Sequence, residues 1–411
     1  MIEIDPVIFS LSNGLKVIYQ EQKAIIAHLG VMVQAGSRYE RADEEGLAHF
    51  LEHCIFQGTE KRRALDVFTD LDSLGGELNA YTNKEEMCIH ASFRKSHFSI
   101  AADLISDIIQ NSTFPKKEIN KEREIVIDEI NSYLDTPSER IFDEFEELVF
   151  KGHSIGRNTL GTKESLQRFG SKELKSYMQR LFNVDNMVVS FVGDVPQEEV
   201  EMILERYFNN VPKTTSIKEN GSLAEFKSFS FEQKKANYQS HIVLGGRAPS
   251  YTDHERRVMA LLINVLGGPA MNSRLNLSVR EKFGYAYNVE AGFSSYSDSG
   301  IWTIYLGTDK KNIKKVLKIV RKEIEDLCNE GLTLDELKLA KEQIKGHLAL
   351  SLDSNIELML HLAKSLLIYG NAESMDTLFK EVDSITYDET KKVASKWFNE
   401  ANTGYLTFVY K

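Results

Sequence analysis

The order of apolar patterns along this 411-residue chain runs through once and then runs through again. Two copies of one pattern bury the same faces in the same succession, so the layer built by the first copy is expected to recur in the second. In the first copy, short alternating strands flank the Asn13-Gly14 turn and occupy residues 29–33, and a helical stretch begins near Glu44 and is stopped by Gly58. In the second, a strand at 241–244 leads into a helix over 255–266, which Gly267-Gly268 stops. The amphipathic stretch 97–110 corresponds to 312–327, and the helix after Phe114-Pro115 corresponds to one opened by the capping box Thr333 and Glu336. Each copy closes on a helix (172–182, 388–398) that runs into an alternating strand (187–192, 405–410). This succession predicts an α+β protein of two homologous domains, each a mainly antiparallel sheet packed with helices, related by internal duplication. The polar stretch 213–220, followed by Gly221 and Ser222, lacks periodicity. It places a linker at 213–227 between a first domain, 1–212, and a second, 228–411.

Composition narrows the function classes. Fifty Lys and Arg against 61 Asp and Glu leave a net charge of -11, which repels nucleic-acid backbones and anionic membrane surfaces. Neither is expected as a partner. The three cysteines, Cys54, Cys88 and Cys328, have no CxxC spacing, so neither a disulfide framework nor a thiolate zinc site is predicted. No apolar run approaches the length of a membrane span, and the segment from Met1 to Pro6 has neither a basic leader nor an apolar core. These features predict a soluble, cytoplasmic protein of bacterial origin.

The chemistry concentrates in His49-Phe50-Leu51-Glu52-His53. Residues four apart on a helix project from one face, roughly 5–6 Å apart at Cβ, so both imidazoles reach one metal ion. Glu52 lies on the same face and is better placed to take a proton from metal-bound water than to ligate. HxxEH is the reverse of the HExxH order of zinc proteases. A catalytic zinc needs a third protein ligand. The acidic stretch 122–130 offers Glu122 and Glu129, two helical turns apart; either could ligate while the other steadies a histidine, and spacing alone leaves that choice open. Cys54 adjoins His53 but points about 100° away on a helix, which predicts a buried thiol.

The chain resembles the pitrilysin and insulysin inverzincins, most closely their mitochondrial-processing-peptidase-like branch, over nearly its whole length. The likeness rests on Gly46-Leu47-Ala48-His49-Phe50-Leu51-Glu52-His53 with Phe56-Gln57-Gly58-Thr59, on Gly75-Gly76-Glu77-Leu78-Asn79-Ala80-Tyr81-Thr82, and on Glu129, 76 residues after His53. It implies that one Zn2+ per chain is held by His49, His53 and Glu129, with Glu122 in support and Glu52 as general base. It further implies that Leu78, Asn79, Ala80 and Tyr81 form an edge strand pairing with an extended peptide. In Ser278-Val279-Arg280-Glu281-Lys282-Phe283-Gly284-Tyr285-Ala286-Tyr287, which in isolation reads as a charged loop entering a strand, Arg280 and Tyr287 match the substrate-contacting arginine and tyrosine of related enzymes. Tyr285 is the rival for the tyrosine role.

In the second copy, Met259 to Ile263 falls opposite the zinc motif and Ala340 near Glu122, so one active centre per chain is expected. The resemblance implies a zinc-dependent endopeptidase acting on short or unfolded peptides in a closed chamber. Because larger relatives join four such domains in one chain, it also implies a homodimer whose second chain completes the site. The competing reading is a non-catalytic peptide-binding or scaffolding subunit.

Overall fold

A computed structural model describes residues 5–213, 221–235 and 238–410. Its strands are β1 (Val7–Ser10), β2 (Lys16–Glu21), β3 (Ile26–Val33), β4 (Glu77–Thr82), β5 (Met87–Arg94), β6 (Met187–Gly193), β7 (Ser230–Lys235), β8 (Ser240–Ala248), β9 (Ala286–Ser295), β10 (Gly300–Thr308) and β11 (Gly404–Tyr410). The helices of the first half are α1 (Leu47–Cys54), α2 (Ala64–Asp72), α3 (Phe98–Asn111), α4 (Lys116–Leu134), α5 (Pro137–Val149), α6 (Lys163–Leu166), α7 (Ser171–Leu181) and α8 (Gln197–Phe208). The second half supplies α9 (Glu255–Gly267), α10 (Ile313–Asn329), α11 (Leu334–Leu352), α12 (Asn355–Tyr369), α13 (Met375–Ser384) and α14 (Tyr387–Trp397).

The duplication is visible in the strand order. The first sheet runs β1-β2-β6-β3-β5-β4 and the second β7-β11-β8-β10-β9. Setting β1 aside, each sheet has the same five places filled in the same succession. One parallel pair occurs in each, β2 with β6 and β7 with β11; every other pairing is antiparallel. The fold is α+β. The capping box expected at the start of α11 is present: the Glu336 carboxylate accepts the Thr333 amide at 2.7 Å, and the Thr333 hydroxyl accepts the Glu336 amide at 3.1 Å.

The chain divides into two compact units, and neither is a continuous half. One holds the described residues of Met1–Asn131, Arg157–Gly221 and Ala349–Met375; the other holds those of Ser132–Gly156, Ser222–Leu348 and Asp376–Lys411. Thus α5, placed by sequence within 1–212, belongs to the unit of the second sheet, and α12, placed within 228–411, to that of the first. Part of the expected linker, 214–220, and residues 1–4 lie outside the described residues.

Packing supplies the reason. In the second unit, Ile141, Phe145 and Val149 of α5 join Val243, Tyr305, Leu406 and Phe408 in one buried cluster, while Ile242, Leu244, Trp302 and Ile304 on the sheet's other face pack with α9, α10 and α14. In the first unit, Leu29, Val31 and Val33 of β3 pack with α1 and α3. The opposite face of β3 receives α12, whose Met359 Sδ lies where a Cβ on Gly30 would stand. With both faces covered, β3 is buried along nearly its full length rather than alternating.

The start of α1 depends on close backbone approach. Gly46 precedes the helix at φ +87°, and a Cβ there would lie 2.6 Å from the Cα of Gly161, itself at φ +71°. Gly14 also has a positive φ, +94°, but nothing stands within 4 Å of its Cβ position. A left-handed conformation costs a non-glycine residue about 1–3 kcal/mol. Gly14→Ala should therefore lose only that, whereas Gly46→Ala should lose clearly more, because backbone must move as well. At roughly 2–4 °C per kcal/mol for a domain of this size, calorimetry resolves the two; equal melting-point losses would show that space at Gly46 is not limiting.

Candidate functional site

Helix α1 has one apolar face and one chemical face. Leu47, Ala48, Phe50, Leu51 and Cys54 are buried in the first unit's core, while His49, Glu52 and His53 are half-buried on the other side. A carboxylate helps fix its start. Glu40 is fully buried and accepts the Gly46 amide at 3.1 Å and the Ala48 amide at 2.8 Å, two of the donors a helix leaves unpaired at its first turn.

Opposite the chemical face lies α4, whose buried stripe is Ile119, Glu122, Val126 and Ile130. Glu129 stands beside that stripe with its side chain 44% exposed, and its two oxygens lie 3.7 Å from His49 Nε2 and 3.4 Å from His53 Nε2. Glu122 is only 7% exposed and faces the other side of one ring, 3.4 Å from His53 Nδ1. The two glutamates that spacing alone could not separate thus meet the histidines differently. Gln57 holds Glu122 in place by donating from Nε2 to Oε1 at 2.8 Å.

The donor set suits zinc. One ligand atom each from His49, His53 and Glu129 lie within 4.8 Å of one another. A tetrahedral shell with bonds of roughly 2.0–2.1 Å places neighbouring ligand atoms about 3.4 Å apart, close to the spacings found. Charge favours this at His49 and Glu129. Burial pulls His49 down to about 4, against the attraction of Glu129, so the imidazole is neutral and has a lone pair to offer. The His53 hydrogen bond holds the Glu129 carboxyl below its ordinary value and therefore ionised. Burial lowers His53 too, but Glu129 and Glu122 outweigh it and raise the ring overall. Burial raises the Glu52 carboxyl, with partial relief from Thr82 at the end of β4, which leaves it a better base than a solvated carboxylate. Cys54 is buried with its thiol pushed up, unlike a thiolate ligand.

Leu78, Asn79, Ala80 and Tyr81 lie in β4, which bonds only β5 and is the edge of the first sheet. In the second unit, Arg280 and Tyr287 line one cleft of about 330 Å³ with Gly268, Pro269 and Asn288. Tyr287 is 88% exposed. Tyr285 instead stacks on Phe283 at 5.2 Å. The segment bearing Arg280 is not a loop: Asn276–Glu281 is a π-helical turn, a wide helical register that composition does not encode. The counterparts of the motif on α9, Met259, Leu262 and Ile263, are buried apolar side chains. Sequence reasoning missed Glu40, which no spacing rule marks. It quoted Gln57 without a role, although its place four residues after His53 was a usable hint.

The chain is similar to known proteins over nearly its whole length. The family described as "Insulinase (Peptidase family M16)" matches residues 16–163, and "Peptidase M16 inactive domain" matches 168–344. The uncharacterized zinc protease YmxG of Bacillus subtilis is 32% identical over 95% of each chain. An uncharacterized zinc protease of Mycobacterium leprae is 30% identical over 95% of this chain and 89% of that one. Among solved structures, a peptidase M16 inactive domain from Pseudomonas fluorescens superposes with a TM-score of 0.92 at 19% identity, covering 99% of this chain and 98% of that one. A protease from Helicobacter pylori gives 0.91 at 19% identity over 99% of each. These two show the fold.

If Glu122 steadies His53 from behind, Glu122→Leu should weaken zinc binding by roughly 10- to 100-fold, and Gln57→Leu should act in the same direction by less. Competition against a chromophoric chelator measures both. Unchanged affinity in Glu122→Leu would remove that carboxylate from the site.

Proposed function

This chain belongs to peptidase family M16, and on that premise we propose that it is a zinc-dependent endopeptidase of short or unfolded peptides. The observation that carries the reading is the meeting of His49, His53 and Glu129 around one point, with Glu52 on the same helix face and an open sheet edge beside it. Zinc held by those three side chains would supply an acidified water and polarise the substrate carbonyl. Glu52 takes the proton of the attacking water and returns it to the departing amine. Its partial burial suits this work, because a carboxylate with a raised pKa is a stronger proton acceptor than a solvated one.

The edge of β4 binds the peptide backbone. Leu78, Asn79, Ala80 and Tyr81 run along that edge, and an extended chain adding there is read by its backbone and tolerated in many sequences. Leu78 and Ala80 turn toward the core. Side-chain selection therefore falls to groups around the strand rather than to the strand itself. Arg280 binds peptide carbonyls and Tyr287 donates to the developing oxyanion; both have the exposure such a role requires.

Each chain has one such metal cluster among its described residues. A second copy of the chain, closing over the peptide and presenting its Arg280 and Tyr287, completes the site in this reading and encloses a chamber that excludes folded proteins. Among the described residues no helix is long and apolar enough to cross a membrane.

Glu52→Gln should retain zinc at wild-type stoichiometry while cleavage of a quenched peptide falls roughly 10²- to 10⁴-fold. Retained turnover with intact metal would refute the base assignment. Mixing Glu52→Gln chains with Arg280→Ala chains should partly restore cleavage, since one of the two sites in a mixed dimer then has both groups intact. Verified mixed dimers without rescue would place Arg280 and the metal of one site in the same chain.

A further inference from the structure

The segment between β3 and α1, residues 34–46, is tied to its surroundings at its start, middle and end. At its start the Tyr177 hydroxyl donates to the carbonyls of Ala35 and Gly36 at 2.8 and 3.0 Å. In its middle, the amides of Ser37 and Arg38 bond the carbonyls of Asn83 and Lys84 at 3.1 and 2.7 Å, and the Arg38 guanidinium forms a buried ion pair with Glu85 at 2.9 Å. These partners sit in the turn joining β4 to β5. Toward its end, Arg157 donates to the Arg41 carbonyl at 3.0 Å, and Arg180 grips Glu44 with two bonds of 3.0 and 2.6 Å. The last tie is Glu40, whose two oxygens take one amide each from the start of α1.

One strap therefore fastens the edge strand at its turn and the metal-motif helix at its first turn. Resting on the zinc reading above, we propose that Glu40 is a positioning residue: its carboxylate fixes the rotation and depth of α1, and thereby the direction in which His49 and His53 present their rings to Glu129. An eight-residue helix has little rigidity of its own. Its apolar face sets which side is buried, but a slide or a small rotation within the core costs little until a directional bond forbids it. Glu40 supplies two such bonds to backbone atoms, one of them on the residue before His49. Gly46 adds the steric stop, since its close contact with Gly161 leaves the helix start no other path. Burial pushes the Glu40 carboxyl up to about 8 even against the downward pull of the Ala48 and Gly46 amides and nearby Arg157, so what places α1 is the pair of hydrogen bonds and their geometry.

Glu40→Gln is nearly isosteric but turns one acceptor into a donor facing an N–H, so one of the two amide bonds is lost. Equilibrium zinc binding should weaken by about tenfold or more, and the visible spectrum of the cobalt-substituted protein should change with its ligand geometry. Leu204→Ala serves as a control: this fully buried side chain of α8 lies outside the strap, and its removal lowers the melting point without reorienting α1. The control should keep wild-type zinc affinity and an unaltered cobalt spectrum. If Glu40→Gln does not fold, Glu40→Asp is read in the same way, because it keeps the charge while shortening the reach. Wild-type zinc affinity in the Glu40 variant overturns the proposal. So does an equal loss in Leu204→Ala, which would reduce the effect to general destabilisation. Failure of the wild-type protein to bind zinc at all would instead overturn the underlying assignment of the metal site.

Discussion

The candidate site depends on a division of one short helix into two faces. Five side chains of α1 are committed to the core of the first unit, and the three polar ones are left on the far side, where His49 and His53 meet Glu129 of α4 and Glu52 meets Thr82 of β4. Neither part suffices alone. Burial without a directional restraint would let eight residues slide, and a restraint without burial would leave the imidazoles free to turn in solvent. The surroundings of His49 show the combined result: an imidazole kept neutral by burial, in van der Waals reach of its partner ring at 4.8 Å between centroids, with an ionised carboxylate in front of it.

Two carboxylates in front of two imidazoles serve different ends because they differ in burial. Glu129, nearly half exposed, keeps its charge at little cost and can exchange protein, solvent and metal partners. Glu122, almost fully enclosed, needs fixed donors, and Gln57 and His53 are the ones it has. A buried acceptor behind a metal-facing imidazole selects the tautomer with its proton on Nδ1, which leaves Nε2 free on the side of Glu129.

Much of this was legible in the sequence, and the parts that were not share a cause. Periodicity identifies the elements: the pairs α3 and α10, α4 and α11, and α7 and α14 fall where the apolar spacing put them, and the Thr333 capping box marks the start of α11. The i, i+3, i+4 spacing of His49, Glu52 and His53 places three polar groups on one face without further help. Periodicity says which face of a helix is buried and is silent about what buries it. For that reason a division at 213–227 separates α5 and α12 from the sheets they pack on: the spacing of Ile141, Phe145 and Val149 is the same whichever sheet receives it. Glu40 escaped for a related reason. Its partners are backbone amides, which every residue has, so no residue pattern signals the bond.

The duplication adds one more step. In both units the first helix of the copy packs beside the terminal strand of the sheet, α1 by β4 and α9 by β9. The second contact is close enough that a Cβ on Gly267 would lie 2.9 Å from the Ala291 side chain. Both copies thus retain a helix-flanked open edge, a feature that soluble proteins ordinarily cover because it invites pairing with other chains. The histidines and the acid survive at one of these edges, while at the other the equivalent positions have become Met259, Leu262 and Ile263. The helix beside that edge carries apolar side chains where the motif would stand, and the cleft holding Arg280 and Tyr287 opens between that helix's end and β9. The second copy thus keeps the sheet edge and a cleft beside it without the metal motif.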